Sequence, residues 1–296
     1  MHFTKMSAMG NDYVYVELLT QNMEEPEKWA RFLSDRRFGV GSDGMILICP
    51  SERADFRMRV FNPDGSEAEM CGNALRSVGK FVYEKKFTSK TALSIETLGG
   101  IKKVFLTLDG GHVSMITAYI GEPVLDAARV PMLMESGEGR CVDAPLTVCG
   151  REFRITAMSL GNPHCAVFAD DAQTLDLEKY GGAIERSAVF PQRANVEFVR
   201  VDGDGKLFLR TWERNCGETL ACGTGCCAAL VAGVLTGRCA PKATVKQLGG
   251  FTEVEWDRDG GQLIMTAPSD IVFDGEIVPE TAEKAFSVMK AKIRTN

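Results

Sequence analysis

Short runs of β-branched and aromatic residues alternate with turn residues along most of this chain, which predicts a fold rich in β-strands. The strands that this pattern predicts are Tyr13–Leu18, Met45–Cys49, Phe56–Phe61, Ala166–Phe168, Val196–Val201 and Leu207–Trp212. Turn signals predict hairpins at Asp109-Gly110-Gly111, Asp202-Gly203-Asp204-Gly205 and Asp259-Gly260-Gly261. The chain is therefore expected to be built mainly from sheet.

Two segments have a helical pattern, and each follows closely on a Cys-Gly pair. In Ala74–Glu84 apolar residues recur at helical spacing. Cys226–Leu235 is apolar nearly all round, which is typical of a helix that is enclosed on every side. After Ile271 the pattern predicts one more strand and then a helix over Glu280–Lys292.

The two Cys-Gly pairs lie in segments of similar sequence that are 151 residues apart. At this one offset, without gaps, Glu67 matches Glu218 and Cys71-Gly72 matches Cys222-Gly223. The segments that match are Phe61–Asn73 with Trp212–Thr224, Gly10-Asn11 with Gly161-Asn162, and Gly44–Ile48 with Asn195–Val199. Because three separate matches at a single offset rarely arise by chance, they indicate an internal duplication.

The duplication predicts an α+β fold of two pseudo-symmetric domains. Each domain is expected to be a mixed β-sheet or barrel wrapped around a central helix, with the active site in the cleft between the domains. We expect an N-terminal domain of residues 1–120 plus 271–296, carrying Cys71, and a C-terminal domain of residues 121–270, carrying Cys222. Gly121-Glu122-Pro123 is the expected crossing point between them.

Composition narrows the class of protein. The 296 residues are 45% hydrophobic and 25% charged, which is typical of a soluble globular protein. A net charge of −6 disfavours a broad nucleic-acid-binding surface. The sequence shows neither an apolar run of membrane-spanning length nor a signal peptide, so we expect a cytoplasmic protein. Most of the ten cysteines are expected to be reduced and structural.

Cys71 and Cys222 are the exceptions, because each stands where a buried helix is expected to begin. The unpaired amides and positive dipole end of a helix lower the pKa of a thiol and bind a carboxylate. A single Cys-Gly of this kind would most simply be structural, but its duplication favours a pair. Two sulfurs on opposite faces of an α-carbon can remove a proton from one face and deliver a proton to the other. The sequence thus predicts an amino-acid racemase or epimerase, for which we expect neither pyridoxal phosphate nor a metal.

The motifs around these cysteines resemble those of the diaminopimelate epimerases. The matching stretches are Met9–Asp12, Phe61–Glu67, Met70–Asn73, Gly161–Cys165, Ala194–Val196, Glu213-Arg214, Gly217–Thr219 and Ala221–Gly225. The resemblance implies interconversion of LL- and meso-diaminopimelate without cofactor or metal, in lysine and peptidoglycan precursor biosynthesis. It also implies a homodimer.

Site residues follow from the same resemblance. It implies that Cys71 and Cys222 are catalytic and that His164 and Glu213 tune them. The backbone amides implied to hold the reacting carboxylate are those of Gly72, Asn73, Gly223 and Thr224, and the side chains implied to orient the substrate are Asn11, Asn62, Asn162, Asn195, Glu213 and Arg214. Taken alone, His164 and the asparagines are equally typical of turns, and Glu213-Arg214 of an exposed pair.

Three positions depart from the family pattern. Gly44 stands where some members have glutamine, Asn215-Cys216 replaces a small Gly-Ala pair, and Trp212 replaces a frequent tyrosine. A related two-cysteine racemase acting on histidine or a proline derivative is therefore a second hypothesis. A third class, a metal-binding or redox protein, is suggested by the cluster Cys216, Cys222, Cys226 and Cys227. A non-catalytic binding relative is a fourth.

Overall fold

The structure is a computed structural model that describes residues 1–133, 139–278, 280–282, 284 and 286. The chain divides into two compact units. The first unit is Met1–Ile116 with Pro268–Asn296, and the second is Thr117–Ala267. Sheet dominates in both, which confirms the predicted α+β class.

Within residues 1–116, the first unit is a mixed sheet with two helices. Its strands are β1 (His2–Ala8), β2 (Asn11–Glu17), β3 (Met45–Cys49), β4 (Phe56–Phe61), β5 (Glu67–Ala68), β6 (Ala92–Thr97), β7 (Gly100–Asp109) and β8 (His112–Gly121), the last of which continues into the second unit. Its helices are α1 (Pro26–Ser34) and α2 (Gly72–Glu84). The pairs β2–β3 and β4–β6 are parallel, whereas β1–β2, β3–β4, β4–β5 and β6–β7 are antiparallel.

The second unit repeats this plan. Its strands are β9 (Ala144–Val148), β10 (Arg151–Ser159), β11 (Pro163–Phe168), β12 (Asn195–Val201), β13 (Leu207–Glu213), β14 (Gly217–Thr219), β15 (Lys242–Gln247), β16 (Gly250–Trp256) and β17 (Leu263–Ala267). Its helices are α3 (Leu177–Glu185) and α4 (Gly223–Leu235), with a short 3-10 helix at Ala127–Arg129. The pairs β11–β12 and β13–β15 are parallel, and β10–β11, β12–β13, β13–β14 and β15–β16 are antiparallel.

The predicted duplication is confirmed in the positions of the elements and in the strand register. Helices α3 and α4 have the bounds of α1 and α2 shifted by 151 residues at both ends. The parallel pairs keep the same register, since Val14 lies opposite Met45 and Cys165 lies opposite Val196. The predicted bounds of the central helices were too short, because each helix begins at the glycine directly after its cysteine.

Helix α4 is the central helix of the second unit. It packs against strands β10–β13 and β15–β17, and its residues from Gly225 to Gly233 are buried. Because strands cover this helix on every side, it has no face that contacts water, which explains why its residues are apolar nearly all round. In the first unit, α2 packs against β1, β4 and β7.

The strand predicted after Ile271 is present as β18 (Asp270–Glu276), which pairs antiparallel with β1 of the first unit. The helix predicted over Glu280–Lys292 lies largely outside the described residues. Of its described part, Phe286 packs edge-to-face on Trp29 with ring centroids 4.8 Å apart. Within the described parts of the chain, no helix is both long and apolar enough to span a membrane.

Candidate active site

Cys71 caps the N-terminus of α2, where its backbone is extended (φ −132°, ψ 118°) before the helix begins at Gly72. The side chain is half-buried, and its Sγ lies 3.8 Å from Asn11 Oδ1. The same oxygen accepts a hydrogen bond from Asn73 Nδ2 at 3.1 Å. The first half of the predicted site, Cys71 with Asn11 and Asn73, is therefore assembled within one unit.

A charged network holds the amide of Asn11. Asn11 Nδ2 donates to Asp43 Oδ2 at 2.9 Å, and the same oxygen accepts the backbone N–H of Asp12 at 3.1 Å. Arg36 bridges Asp43 and Asp12, and Lys5 contacts Asp12. Burial favours the neutral form of Asp12, but hydrogen bonds from Arg36 and Lys5 outweigh it and lower the pKa of this carboxyl. Asn11 Oδ1 is thereby fixed toward Cys71.

Tyr13, two residues after Asn11, was not predicted as a site residue. It is buried, and burial together with the neighbouring Cys71 thiol raises the pKa of its phenol well above the usual value. Tyr13 therefore stays protonated and offers Cys71 a neutral hydroxyl.

Cys222 caps the N-terminus of α4 in the equivalent way. Its Sγ accepts the backbone N–H of Gly225 at 3.3 Å and lies 3.6 Å from Thr224 Oγ1. Its own backbone N–H donates to Gln247 Oε1 at 2.6 Å. The sulfur thus sits on the open amides of the first helical turn, as its place in the sequence predicted.

The predicted net lowering of the Cys222 pKa is wrong in this structure, although the helix end itself acts in the predicted direction. Burial is the largest influence and raises the pKa of Cys222 well above its usual value, and the carboxyls of Glu213 and Glu197 raise it further. The hydrogen bonds from Thr224 and Gly225 act in the opposite direction but are smaller. Only 6% of the residue is exposed, so burial favours the protonated form of Cys222.

His164 is fully buried and has partners on both ring nitrogens. Nδ1 lies 2.8 Å from Glu197 Oε1, and Nε2 lies 2.9 Å from Asn162 Oδ1. His164 and Glu197 are each 0% exposed. Sequence reasoning placed His164 and Asn162 in the site but treated Glu197 as an ordinary strand residue. The available signal was a carboxylate in the middle of the otherwise apolar core of β12.

Glu213 and Arg214 lie at the end of β13, where Asn195 fixes the backbone. Asn195 Oδ1 accepts the backbone N–H of Arg214 at 2.9 Å, while its Nδ2 donates to the Pro163 carbonyl at 3.2 Å. Thr219 Oγ1 donates to Glu213 Oε1 at 2.7 Å. Asn195 therefore ties the His164 strand to the Glu213-Arg214 turn.

Asn62 lies in a turn, and the structure does not place it against the residues described above. Its Nδ2 donates to Ser66 Oγ at 3.0 Å, and its backbone N–H donates to the Ser66 carbonyl at 2.9 Å. These bonds close the Asn62–Ser66 turn. Turn formation is the alternative role that the sequence predicted for the asparagines.

Two of the three departures from the family pattern, Gly44 and Trp212, have structural reasons. Gly44 has φ +156°, and a Cβ there would lie 2.3 Å from the Phe61 carbonyl oxygen, so a glutamine does not fit this backbone. Trp212 Nε1 and the Asn215 backbone N–H both donate to the buried carboxylate of Glu185, at 3.0 and 2.9 Å. Glu185 thus gives the indole of Trp212 a partner, whereas its bond to residue 215 is to the backbone and does not depend on the asparagine side chain.

The four cysteines that suggested a metal or redox site are Cys216, Cys222, Cys226 and Cys227, and none of them forms a disulfide with a described residue. In the described ranges, no group of three or more His, Cys, Asp or Glu side chains is arranged to hold a metal ion.

Two units of one topology, each with a cysteine at the start of a buried central helix, define a class of duplicated α+β enzymes. Known structures share this fold. A hydroxyproline epimerase from Agrobacterium vitis matches with a TM-score of 0.66 and 16% identity, over 95% of this chain and 93% of that one. A phenazine biosynthesis protein of the PhzF family from Bacillus anthracis matches with a TM-score of 0.65 and 19% identity, over 94% and 99%.

Sequence comparison identifies the family within this class. The diaminopimelate epimerase family model matches residues 3–125 and 156–272. A diaminopimelate epimerase from Methanococcus maripaludis strain C6 is 49% identical over 94% of this chain and 99% of its own length. One from Acetivibrio thermocellus is 47% identical over 94% and 98%. The chain belongs to the diaminopimelate epimerase family and is an isomerase.

Proposed function

We propose that this protein epimerises LL-diaminopimelate to meso-diaminopimelate, with Cys71 and Cys222 as the acid/base pair. The observation that carries the proposal is the duplicated cysteine cap. Cys71 and Cys222 are 151 residues apart, and each caps the N-terminus of one of two equivalent buried helices. The chain also matches the diaminopimelate epimerase family model. Residues 1–120 with 271–296, and residues 121–270, are proposed as the two domains that each supply one sulfur.

The proposed reaction is a two-base proton transfer. The thiolate of one cysteine removes the α-proton, and the thiol of the other delivers a proton to the opposite face. The two roles exchange when the opposite epimer is the substrate. Because one sulfur must be protonated and the other not, the pair titrates as a coupled unit. The hydrogen bond from Gly225 to Cys222 Sγ, at 3.3 Å, supports the anionic form of that sulfur when it acts as base.

The α-proton of an amino acid is a very weak acid, so the negative charge that develops must be stabilised in the transition state. In the proposed site, the amides of Gly72, Asn73, Gly223 and Thr224 bind the reacting carboxylate, where fixed dipoles stabilise this charge. His164 and Glu213 are proposed to adjust the protonation of the pair. Glu213 already acts on Cys222, since its carboxyl raises the pKa of that thiol.

A stereospecific site for diaminopimelate also needs polar groups for the second ammonium and carboxylate. The proposed clamp consists of Asn11, Asn62, Asn162, Asn195, Glu213 and Arg214. Asn11 Nδ2 donates a hydrogen bond of 2.9 Å to Asp43, and Asn195 Oδ1 accepts one of 2.9 Å from the Arg214 backbone N–H. Preorganised amides of this kind bind without having to order their side chains first.

The test is α-proton exchange in D₂O with a panel of amino acids, including diaminopimelate, histidine and proline derivatives. We expect deuterium to enter diaminopimelate fastest, with inversion at one centre. Faster exchange of histidine or a proline derivative would replace the proposed substrate with that of a related racemase.

Cysteine variants test the mechanism in the same assay. Cys71→Ala and Cys222→Ala should each abolish epimerisation, because each leaves one face of the α-carbon without a proton donor or acceptor. Cys149→Ala, which removes an exposed thiol, is the control and should leave the rate unchanged. Near-normal epimerisation by either of the first two variants would contradict the two-base mechanism.

The cellular setting is proposed with the reaction. The use of the proposed product for lysine and peptidoglycan precursors supports a cytoplasmic enzyme. A homodimer is proposed from the family resemblance, and sedimentation analysis of the purified protein measures it directly.

A further inference from the structure

Glu197 is a buried carboxyl group that none of the proposed catalytic roles uses. It lies in β12, is 0% exposed, and contacts Nδ1 of His164 through Oε1 at 2.8 Å. In the described part of the chain, its Oε2 has no hydrogen-bond partner. Burying a carboxyl in this way is costly, so its presence calls for a reason.

The internal repeat shows that the fold does not require this carboxyl. At the equivalent position in the first unit, β3 carries Ile46, which is also fully buried. The equivalent of His164 is Tyr13. One half of the molecule therefore folds with a tyrosine and an isoleucine where the other half has a histidine and a glutamate. The two differences occur together, which indicates that the histidine and the glutamate act as a pair.

Glu197 and His164 belong to a chain of polar contacts that ends at Asn162, a proposed substrate-orienting side chain. His164 Nε2 lies 2.9 Å from Asn162 Oδ1, and Asn162 is only half-buried. An amide oxygen only accepts hydrogen bonds, so Nε2 must carry a proton. With its oxygen on His164, the Asn162 amide turns its Nδ2 donor away from the histidine.

The proton on Nε2 depends on what faces Nδ1. Neutral imidazole donates from one nitrogen only, so Nε2 carries the proton when Nδ1 accepts from a protonated Glu197, or when both nitrogens are protonated against its carboxylate. Burial raises the pKa of Glu197, and His164 opposes the rise. Cys165 and Cys222 also face Glu197, but burial raises the pKa of both thiols, so neither adds a charge at neutral pH.

We propose that Glu197 is a positioning residue that shares one proton with His164 across Oε1 and Nδ1, so that Nε2–H holds the Asn162 oxygen and the Asn162 Nδ2 donates to a carboxylate oxygen of the substrate. This inference rests on the proposed function, in which Asn162 binds substrate. Glu197 and His164 together neither gain nor lose a proton when they orient the Asn162 amide.

The first test is ¹⁵N NMR of the imidazole rings, which does not depend on activity. The chain has three histidines, of which His2 and His112 are exposed, so removing His164 in a His164→Gln variant assigns its signals. In the wild-type protein at neutral pH, we expect Nε2 of His164 to carry a proton. Detection of an unprotonated Nε2 would overturn the proposal, whether or not the protein epimerises diaminopimelate.

Variants at Glu197 extend this test. Glu197→Gln keeps a side-chain amide that donates to Nδ1, so it should retain the proton on Nε2. Glu197→Leu removes the partner of Nδ1, so the imidazole is no longer held with its proton on Nε2. The Asn162 amide can then turn its Nδ2 toward an unprotonated Nε2, and the ring should populate both neutral tautomers. Phe198→Leu is the matched control, because it shortens the neighbouring buried side chain of β12, whose ring packs on Phe153. It should lower stability but leave the His164 spectrum unchanged.

The second test is kinetic. Glu197→Leu should raise KM for diaminopimelate about tenfold, the effect of losing one buried hydrogen bond, with a smaller change in kcat. Glu197→Gln should restore KM to within about twofold of wild type. In an Asn162→Ala background, Glu197→Leu should have no further effect on KM, because it acts through Asn162. Additive effects of the two substitutions, or a loss confined to kcat, would contradict the proposed role.

Discussion

At the scale of single residues, the two halves of the molecule differ at the first helical turn. Ala74 in α2 and Gly225 in α4 occupy equivalent positions of the repeat. A Cβ on Gly225 would lie 3.2 Å from both Cys222 Sγ and Glu197 Oε1. The buried carboxyl and Cys222 of the second unit therefore favour glycine at this position, whereas the first unit has Ile46 in place of that carboxyl and has alanine there.

The first prediction follows from this close approach. Gly225→Ala should lower kcat about tenfold and reduce the free energy of unfolding by about 1–3 kcal/mol, because Cys222 and Glu197 are too enclosed to move aside. Steady-state kinetics and urea denaturation measure the two effects. Ala74→Gly, at the equivalent turn, is the control and should cost about 1 kcal/mol with little change in kcat. Equal losses of kcat in both variants would contradict this explanation.

The second prediction concerns the protonation of Cys222. The Glu213 carboxyl raises the pKa of this thiol, so Glu213→Gln should lower that pKa and allow the thiolate to form at lower pH. Titration of [3-¹³C]cysteine-labelled protein by NMR measures the midpoint, with Cys222→Ala to assign the signal. Glu218→Gln, which removes a carboxylate paired with Arg210, is the control. An unchanged midpoint in Glu213→Gln would show that Glu213 does not act on Cys222.

At the scale of elements, the two central helices set the positions of the cysteines. Each helix begins directly after its cysteine, so the packing of the helix fixes where the sulfur lies. Helix α4 is covered by strands on all sides, and Leu230 near its middle is fully buried.

The third prediction tests this packing. Leu230→Ala should reduce the free energy of unfolding by about 2–5 kcal/mol, because it leaves a cavity in the enclosed helix surroundings. Leu235→Ala makes the same chemical change at the half-buried end of α4 and should cost less. Urea denaturation of both variants gives the comparison, and an equal cost at the two positions would mean that the middle of α4 is not part of the core.

At the scale of the whole molecule, the proposed mechanism needs both cysteines at one substrate, one from each half of the repeat. A disulfide forms only when two Cα atoms come within about 7 Å. Crosslinking therefore reports directly on the approach that the mechanism requires.

The fourth prediction is that mild oxidation joins Cys71 to Cys222 and abolishes activity, and that a thiol reductant restores both thiols and the activity. Peptide mass spectrometry identifies the crosslink. The exposed thiols of Cys149 and Cys216 are replaced with serine beforehand, so that they cannot compete. Complete oxidation of the remaining accessible thiols without a Cys71–Cys222 bond would contradict the proposed geometry.

The sequence by itself determined the duplication, the class of fold and the strands that lead up to each cysteine. These properties depend on local patterns: alternation in strands, helical spacing after the cysteines, and one offset of 151 residues that recurs along the chain. Of the side chains that the family motifs singled out, Asn11 lies against Cys71, and Glu213 acts on Cys222. Asn62 does neither, since its hydrogen bonds close a local turn.

Only the tertiary structure decided the environment of those residues. A helix N-terminus lowers the pKa of a thiol, but burial of Cys222 beside two carboxyls outweighs it, and burial is a property of the packed fold. Glu197 looked like an ordinary strand residue because its partner, His164, is 33 residues away in sequence and lies on the adjacent strand. The sequence thus carried the local patterns and the motifs, whereas desolvation and long-range pairing arise only when distant strands are brought together.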